Sequence, residues 1–423
     1  MTARIEDPAI GPVAIPERIG AVDIVRGFAL WGVLLVHMWS YTWGPFPHFH
    51  PVDQFTESAL VFLFREKSWH LLFLLFGFGF ALQMVRAGEH GARFLPTYVR
   101  RLAVLLGFGF VNYLFFWGDV LTSYAILGFV LLLFRRWSPR WILATTVLLL
   151  LVAPVNRAIR SMVPTDPELA AQVARAPNLA EFDQAQELAR VRMTGSLADN
   201  WGVQARTFVR HVDPRPQLNV TADGWLARFA MLLLGLYAGK RRIFQEFERH
   251  RVLIRRIFFW GLPLGLLAMS ADWIFDNLVT ATLSPAHELA RGGLWSYGTT
   301  VLALSYAAGF VLLARQTQWR RILSPLGAMG RMALTVYLSQ SIIHTTIFFG
   351  YGFGRWGHAG TTELWGYAAL IFAAQMAICV WWMKRFRFGP AEWLWRTLTY
   401  LQLQPMRLPR TETTGAKAAA EGA

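Results

Sequence analysis

A single cysteine, Cys379, occurs in the 423 residues, and it lies inside an apolar run. An intramolecular disulfide and a cysteine-ligated metal are thereby excluded. Acids are scarce too: 26 Asp and Glu stand against 41 Lys and Arg, a formal net charge of +15. The first twenty residues hold Pro, Gly and acids but no apolar core. No cleavable signal peptide is expected, and the first apolar run is expected to direct insertion. Zinc-site, P-loop and serine-hydrolase motifs are all missing.

Apolar residues are what the chain has in excess. They make up 55% of it, with 15% aromatic, and several runs exceed the roughly 20 residues that span a bilayer. The basic residues fall between these runs, which fits the positive-inside rule of membrane proteins better than a nucleic-acid surface. The sequence therefore predicts an all-α, polytopic membrane helix bundle that binds membrane lipids and no nucleic acid.

Ten transmembrane helices are expected, at about 21–43, 59–85, 98–117, 119–134, 141–157, 225–239, 254–275, 293–314, 332–350 and 364–383. Alternate connections carry the arginines, as in Arg86, Arg93, Arg100 and Arg101, then Arg135, Arg136 and Arg140. The same holds for the stretches 240–256, 315–331 and 384–387. Arg65 and Lys67 break the pattern unless the second span begins after them. This asymmetry predicts that both termini are cytoplasmic. The chain divides into a cytoplasmic segment 1–20, a membrane bundle 21–157, a helical extracytoplasmic lid 158–224, a second membrane unit 225–400 with an interfacial helix, and a disordered tail 401–423. Within the lid, Thr165 or Asp166 caps one expected helix, and a second runs from Asn178 to a stop at Gly195.

Charge inside the first span is the strongest functional signal. Arg26 and His37 are eleven residues apart, which brings both onto one helical stripe about 16 Å apart along the axis. Asp23, three residues before Arg26, is placed to pair with it. Ionisable groups at this depth face a cavity or a partner, and an imidazole there is a candidate general base. Asp119, in "WGDVLTSYA", reads either as the N-cap of the fourth span or as a partner for an imidazole or a sugar hydroxyl. Arg100 and Arg101 read as topology markers or as phosphate ligands of a nucleotide-bearing cofactor. His70 reads as a packing group, and His48, His50 and Asp53 form a weak metal-ligand set. "GFGRWG" at 352–357 matches a dinucleotide fingerprint by letters but lacks the preceding strand. The repeated "GFGF" at 77–80 and 107–110 predicts close helix approach.

Five stretches carry a family resemblance: "RIGAVDIVRGFALWGVLLVH", "LLFLLFGFGFAL", "WGDVLTSYAILG", "LGAMGRMALTVYLSQSIIHTTIFFGYGFGRWG" and "RFGPAEWLWRTLTY". Together they resemble the YeiB-like bacterial membrane proteins, the domain-of-unknown-function 418 family, over most of residues 18 to 400. Where that family commonly has Asn in "ALTNY", this chain has Val336; where it often has His before the Gly-Asp step, this chain has Asn112. Many members have Asn at the His37 position. The family in turn looks like a distant relative of transmembrane acyltransferases, in which an Arg, ten residues and a His share the first span. That resemblance implies acyl-CoA as donor, a glycan-like or small-molecule hydroxyl or amine acceptor, His37 as catalytic base and Arg26 in support. Arg100 and Arg101 would match the cofactor-side basic motif only loosely. A transporter and a non-catalytic membrane partner are the competing readings, and no inverted repeat supports the former.

Overall fold

The computed structural model describes residues 20–42, 50–89, 94–162, 179–212, 222–278 and 285–408. Among them every element is helical, and the one β-type contact is an isolated bridge between Phe386 and Arg407. Seven helices, or helix pairs joined end to end, are long and apolar enough to cross a membrane. They lie at Gly20–Thr42, Pro51–Ala87, Phe94–Phe115, Pro139–Asn156, Phe247–Phe275, Leu289–Arg315 and Thr361–Met383.

Of the ten expected spans, seven meet this length and composition among the described residues. The other three exist as helices but fall short. Leu121–Leu131 has 11 residues and Ala333–Phe348 has 16, against the roughly 20 that a bilayer core asks for. Ala222–Lys240 has 19 and carries Arg228 and Lys240.

Helix α1 (Gly20–Trp39) is the axis of the bundle: 67% of its apolar window is buried, against 22% for the window at 247–275. Around it stand α2 (Pro51–Leu63), α3 (Lys67–Glu89), α4 (Phe94–Phe115) and α5 (Leu121–Leu131). A break separates α2 from α3 within the Pro51–Ala87 span, with Glu66 at φ 62° and Lys67 opening α3. α6 (Pro139–Met162) follows, then α7 (Leu179–Thr194) and α8 (Leu197–Val212). α9 (Ala222–Lys240), α10 (Phe247–Leu278) and α11 (Pro285–Arg315) return through the bundle. Two short helices, α12 (Thr317–Ile322) and α13 (Ser324–Arg331), lead into α14 (Ala333–Phe348), α15 (Thr361–Met383) and α16 (Pro390–Tyr400).

One glycine of each "GFGF" repeat does the expected work. A side chain at Gly77 would run into the Leu232 carbonyl of α9, and one at Gly109 into Thr122 and Asp119. Gly79 and Gly107 face open space. Large apolar side chains of α6, α10 and α15, such as Trp141, Trp260 and Leu370, stay exposed, as a lipid-facing surface requires. Buried Glu392 on α16 ties the end of the chain to the bundle. Its carboxylate accepts from Leu334 N, Thr335 N and the Thr335 hydroxyl, which caps α14, while burial pushes its pKa up.

The lid is partly as expected. α7 ends before Gly195, whose amide bonds back to Val191 O. α8 is a helix the sequence reading did not anticipate, and it is held to α4 by Gln204 Nε2, which donates to the Tyr113 carbonyl. The helix expected near Thr165 and Asp166 lies outside the described residues.

Candidate functional site

His37 sits near the end of α1 and is buried, at 3% exposure. Among the described residues neither of its ring nitrogens has a hydrogen-bond partner. Aromatic rings enclose it: Phe116 at 4.5 Å between centroids, Trp69 at 5.5 Å and Tyr337 at 6.0 Å. A second histidine, His344 of α14, lies 5.9 Å away ring to ring. His344 Nδ1 shares a 2.6 Å hydrogen bond with the Tyr41 hydroxyl, and its Nε2 is buried with no partner. Three unpartnered imidazole nitrogens therefore meet in one apolar box. Leaving buried polar atoms unpaired costs about 1–3 kcal/mol each, so their accumulation makes this box a candidate site.

Sequence reading named His37 and missed His344 and Tyr41. Some 300 residues separate His344 from α1, and "SQSIIHTT" reads locally as an ordinary helix; only long-range packing brings it here.

Asp119 goes elsewhere. Its carboxylate accepts from Leu121 N, Thr122 N and Asn112 Nδ2, so it caps α5 and holds the tight turn after α4. It makes no bond to His37. Asn112, where the family often has His, is spent on that same carboxylate. Tyr337 completes the turn: its hydroxyl accepts from Val120 N at 3.0 Å and donates to Gly118 O at 3.3 Å.

Arg26 pairs with Asp23 at 2.7 Å and donates to the Gly330 carbonyl at 3.0 Å. It stands at the mouth of a cavity of about 230 Å³ with Arg101, Arg331 and Arg396. Leu30, Leu75, Leu105, Val120 and Tyr337 also line that cavity. Arg101 lies flat on Trp395, 3.6 Å from the ring centroid, and so faces the cavity. Arg100 does not line it, because adjacent helical residues point about 100° apart.

Above the histidines the lid closes on an aromatic stack. Arg192 of α7 rests 3.9 Å over Trp117, which stacks on Trp356 and Phe349. Burial lowers the Arg192 pKa to about 10, which leaves it cationic at neutral pH. The Gly350 amide donates to the Arg192 carbonyl at 2.8 Å. "GFGRWG" is this turn, with Gly354 and Gly357 at positive φ, and not a phosphate loop. His50 caps α2 through Val52 N, Asp53 accepts from Thr362 N, and His48 lies outside the described residues. His70 Nδ1 bonds to the Glu66 carbonyl, as expected of a packing group.

These features define a class: a helical membrane protein whose central helix carries a buried histidine beside an arginine-mouthed cavity. The comparisons narrow it. The family described as "Protein of unknown function (DUF418)" matches residues 238–402. The Bacillus subtilis "Uncharacterized protein YxaH" is 32% identical over 94% of this chain and 98% of its own length. The Escherichia coli "Uncharacterized protein YeiB" is 27% identical over 90% of this chain and 96% of its own length. The chain belongs to the YeiB-like DUF418 family.

Proposed function

We propose that the protein is a membrane acyltransferase that moves an acyl group from cytoplasmic acyl-CoA to a hydroxyl or amine acceptor beyond the membrane. The observation that carries this is an arginine-lined cavity that reaches Tyr337, whose ring lies 6.0 Å from that of the unpartnered His37. Arg26, Arg101, Arg331 and Arg396 supply the planar donors that match phosphate groups, and the leucines lining the cavity suit a pantetheine arm.

In the reaction, an acceptor oxygen or nitrogen attacks the thioester carbon while His37 takes its proton. The C–S bond then breaks, and the protonated imidazole returns the proton to the departing sulfur. The products are an acylated acceptor and free CoA. His344, held by Tyr41, faces the same space and can hold the acceptor.

The test is donor binding to the purified full chain. Acetyl-CoA and a longer acyl-CoA should raise the melting temperature, since a ligand bound only to the folded state stabilises it in proportion to its excess over Kd. No shift at concentrations in the millimolar range would remove the donor and with it the acyltransferase reading.

A further inference from the structure

A much larger cavity, of about 1620 Å³, opens at the other end of α1, between α2, α3, α9, α10 and α11. The chemistry proposed above makes no use of it. Its inner wall is cationic and aromatic. Arg65 sits between Trp39 and Trp295, at 5.3 and 5.9 Å from their centroids. Arg228 lies 5.9 Å from Trp69, and its Nε is buried with no hydrogen-bond partner. Behind this wall Lys67 is fully buried, donating to Val61 O at 3.0 Å and lying 5.1 Å from Trp295.

Three acids, Glu57, Glu66 and Asp272, line the cavity as well. Asp272 lies 3.9 Å from Arg291, and among the described residues neither Arg65 nor Arg228 has an ion pair. A cation held on an aromatic face at membrane depth, without a carboxylate, is costly unless a ligand supplies the anion. The rim is different in kind. Phe55, Trp273 and Ile274 are 73%, 45% and 47% exposed and continue the apolar outer surface of the bundle. Cations inside and apolar side chains at the mouth form a template for a molecule with an acidic head and a hydrocarbon tail.

We propose that this cavity binds an acidic amphiphile drawn from the membrane, its phosphate or carboxylate head on Arg228 and Arg65 and its chain across Phe55, Trp273 and Ile274. Trp69, which touches both Arg228 and His37, places that head one ring away from the histidine box. The assignment holds whether or not His37 transfers a proton. Under the acyl-transfer reading it names the class of the acceptor, and it brings that acceptor in through the bundle wall instead of under the lid.

Binding of short-chain phosphatidate, the matching phosphatidylcholine and inorganic phosphate to the purified full chain tests this, in neutral detergent, by native mass spectrometry and melting temperature. Phosphatidate should bind at least about tenfold tighter than either of the other two, the scale of one charge-assisted hydrogen bond. Arg228→Gln should remove most of that preference, Arg228→Lys should keep part of it, and Arg136→Gln, on an exposed turn elsewhere, should leave it intact. Arg65→Gln provides a second variant should Arg228→Gln fail to fold. Equal affinity for phosphatidate and phosphatidylcholine, or an unchanged preference in the folded glutamine variants, would overturn the site. Inorganic phosphate binding as tightly as phosphatidate would overturn its assignment to an amphiphile.

Discussion

The two cavities at opposite ends of α1 are built from different materials. The smaller one, about 230 Å³, is lined by Arg26, Arg101, Arg331 and Arg396 and by leucines, and it reaches Val120 and Tyr337. The larger one, about 1620 Å³, is lined by exposed apolar side chains such as Phe55 and Trp273 and by the half-buried Arg65 and Arg228. Between them stand His37, Trp69, Phe116 and Tyr337, with no described polar partner for the imidazole. The first arrangement suits a water-soluble molecule that presents phosphates at the surface and threads a thin arm inward. The second suits a membrane-resident molecule that enters tail-side out. The contrast teaches that position of charge, more than its amount, tells the two ends apart: both are rich in arginine, but only one keeps it at the mouth.

The comparison can be broken at Arg101. Arg101→Ala should weaken acyl-CoA binding roughly tenfold to a hundredfold, since it removes a charge-assisted phosphate contact. Arg100→Ala, one residue away but turned from the cavity, should change it little. Titration with a fluorescent CoA analogue would read both, and equal losses would return the pair to a shared electrostatic role at the membrane surface. Neither substitution should alter phosphatidate binding at the other end.

A smaller effect is expected where α3 and α9 join the two regions. Gly77→Val sets a branched side chain against the Leu232 carbonyl and should cost about 1–3 kcal/mol of stability. Gly79→Val, facing open space, should cost well under that, apart from helix propensity. Thermal unfolding of the two variants in one detergent would separate them, and similar melting temperatures would contradict the close approach of these helices.

The smallest effect sharpens the site itself. Tyr41→Phe removes the 2.6 Å bond to His344 and should cost about 0.5–1.5 kcal/mol of stability, with a few-fold loss of transfer rate. If His344 has no part in holding the acceptor, the stability loss should appear without the loss of rate.

Much of the framework was legible in the sequence for local reasons. Apolar periodicity gave the helices, the Asp23–Arg26 spacing gave an ion pair that forms, and Gly195 ended α7 where a helix stop was expected. The span count is less legible, because apolar composition marks burial as readily as lipid contact. α14, with only 16 residues, is as apolar as a span yet packs inside the bundle. Half of the histidine box was visible, because the Arg26–His37 stripe lies on one helix. His344 and Tyr41 were not, since their meeting depends on packing across some 300 residues. Asp119 offered two roles from its place in the sequence, and its hydrogen bonds are those of the helix cap. The wide cavity was invisible for the same reason as His344: its walls come from five helices, none of which carries a motif.

The central claim is that His37 moves a proton, and one substitution separates that from every structural role. His37→Asn keeps a hydrogen-bonding side chain of smaller volume, so the fold should tolerate it. A neutral amide cannot accept a proton at working pH. The measurement is the rate of acyl transfer by purified wild type, His37→Asn and His37→Ala, each at saturating acyl-CoA and with donor affinity measured alongside. The account predicts that both variants bind donor like the wild type and lose about 10²- to 10⁴-fold in rate, the usual contribution of a general base. A His37→Asn protein that transfers acyl groups at nearly the wild-type rate would contradict it.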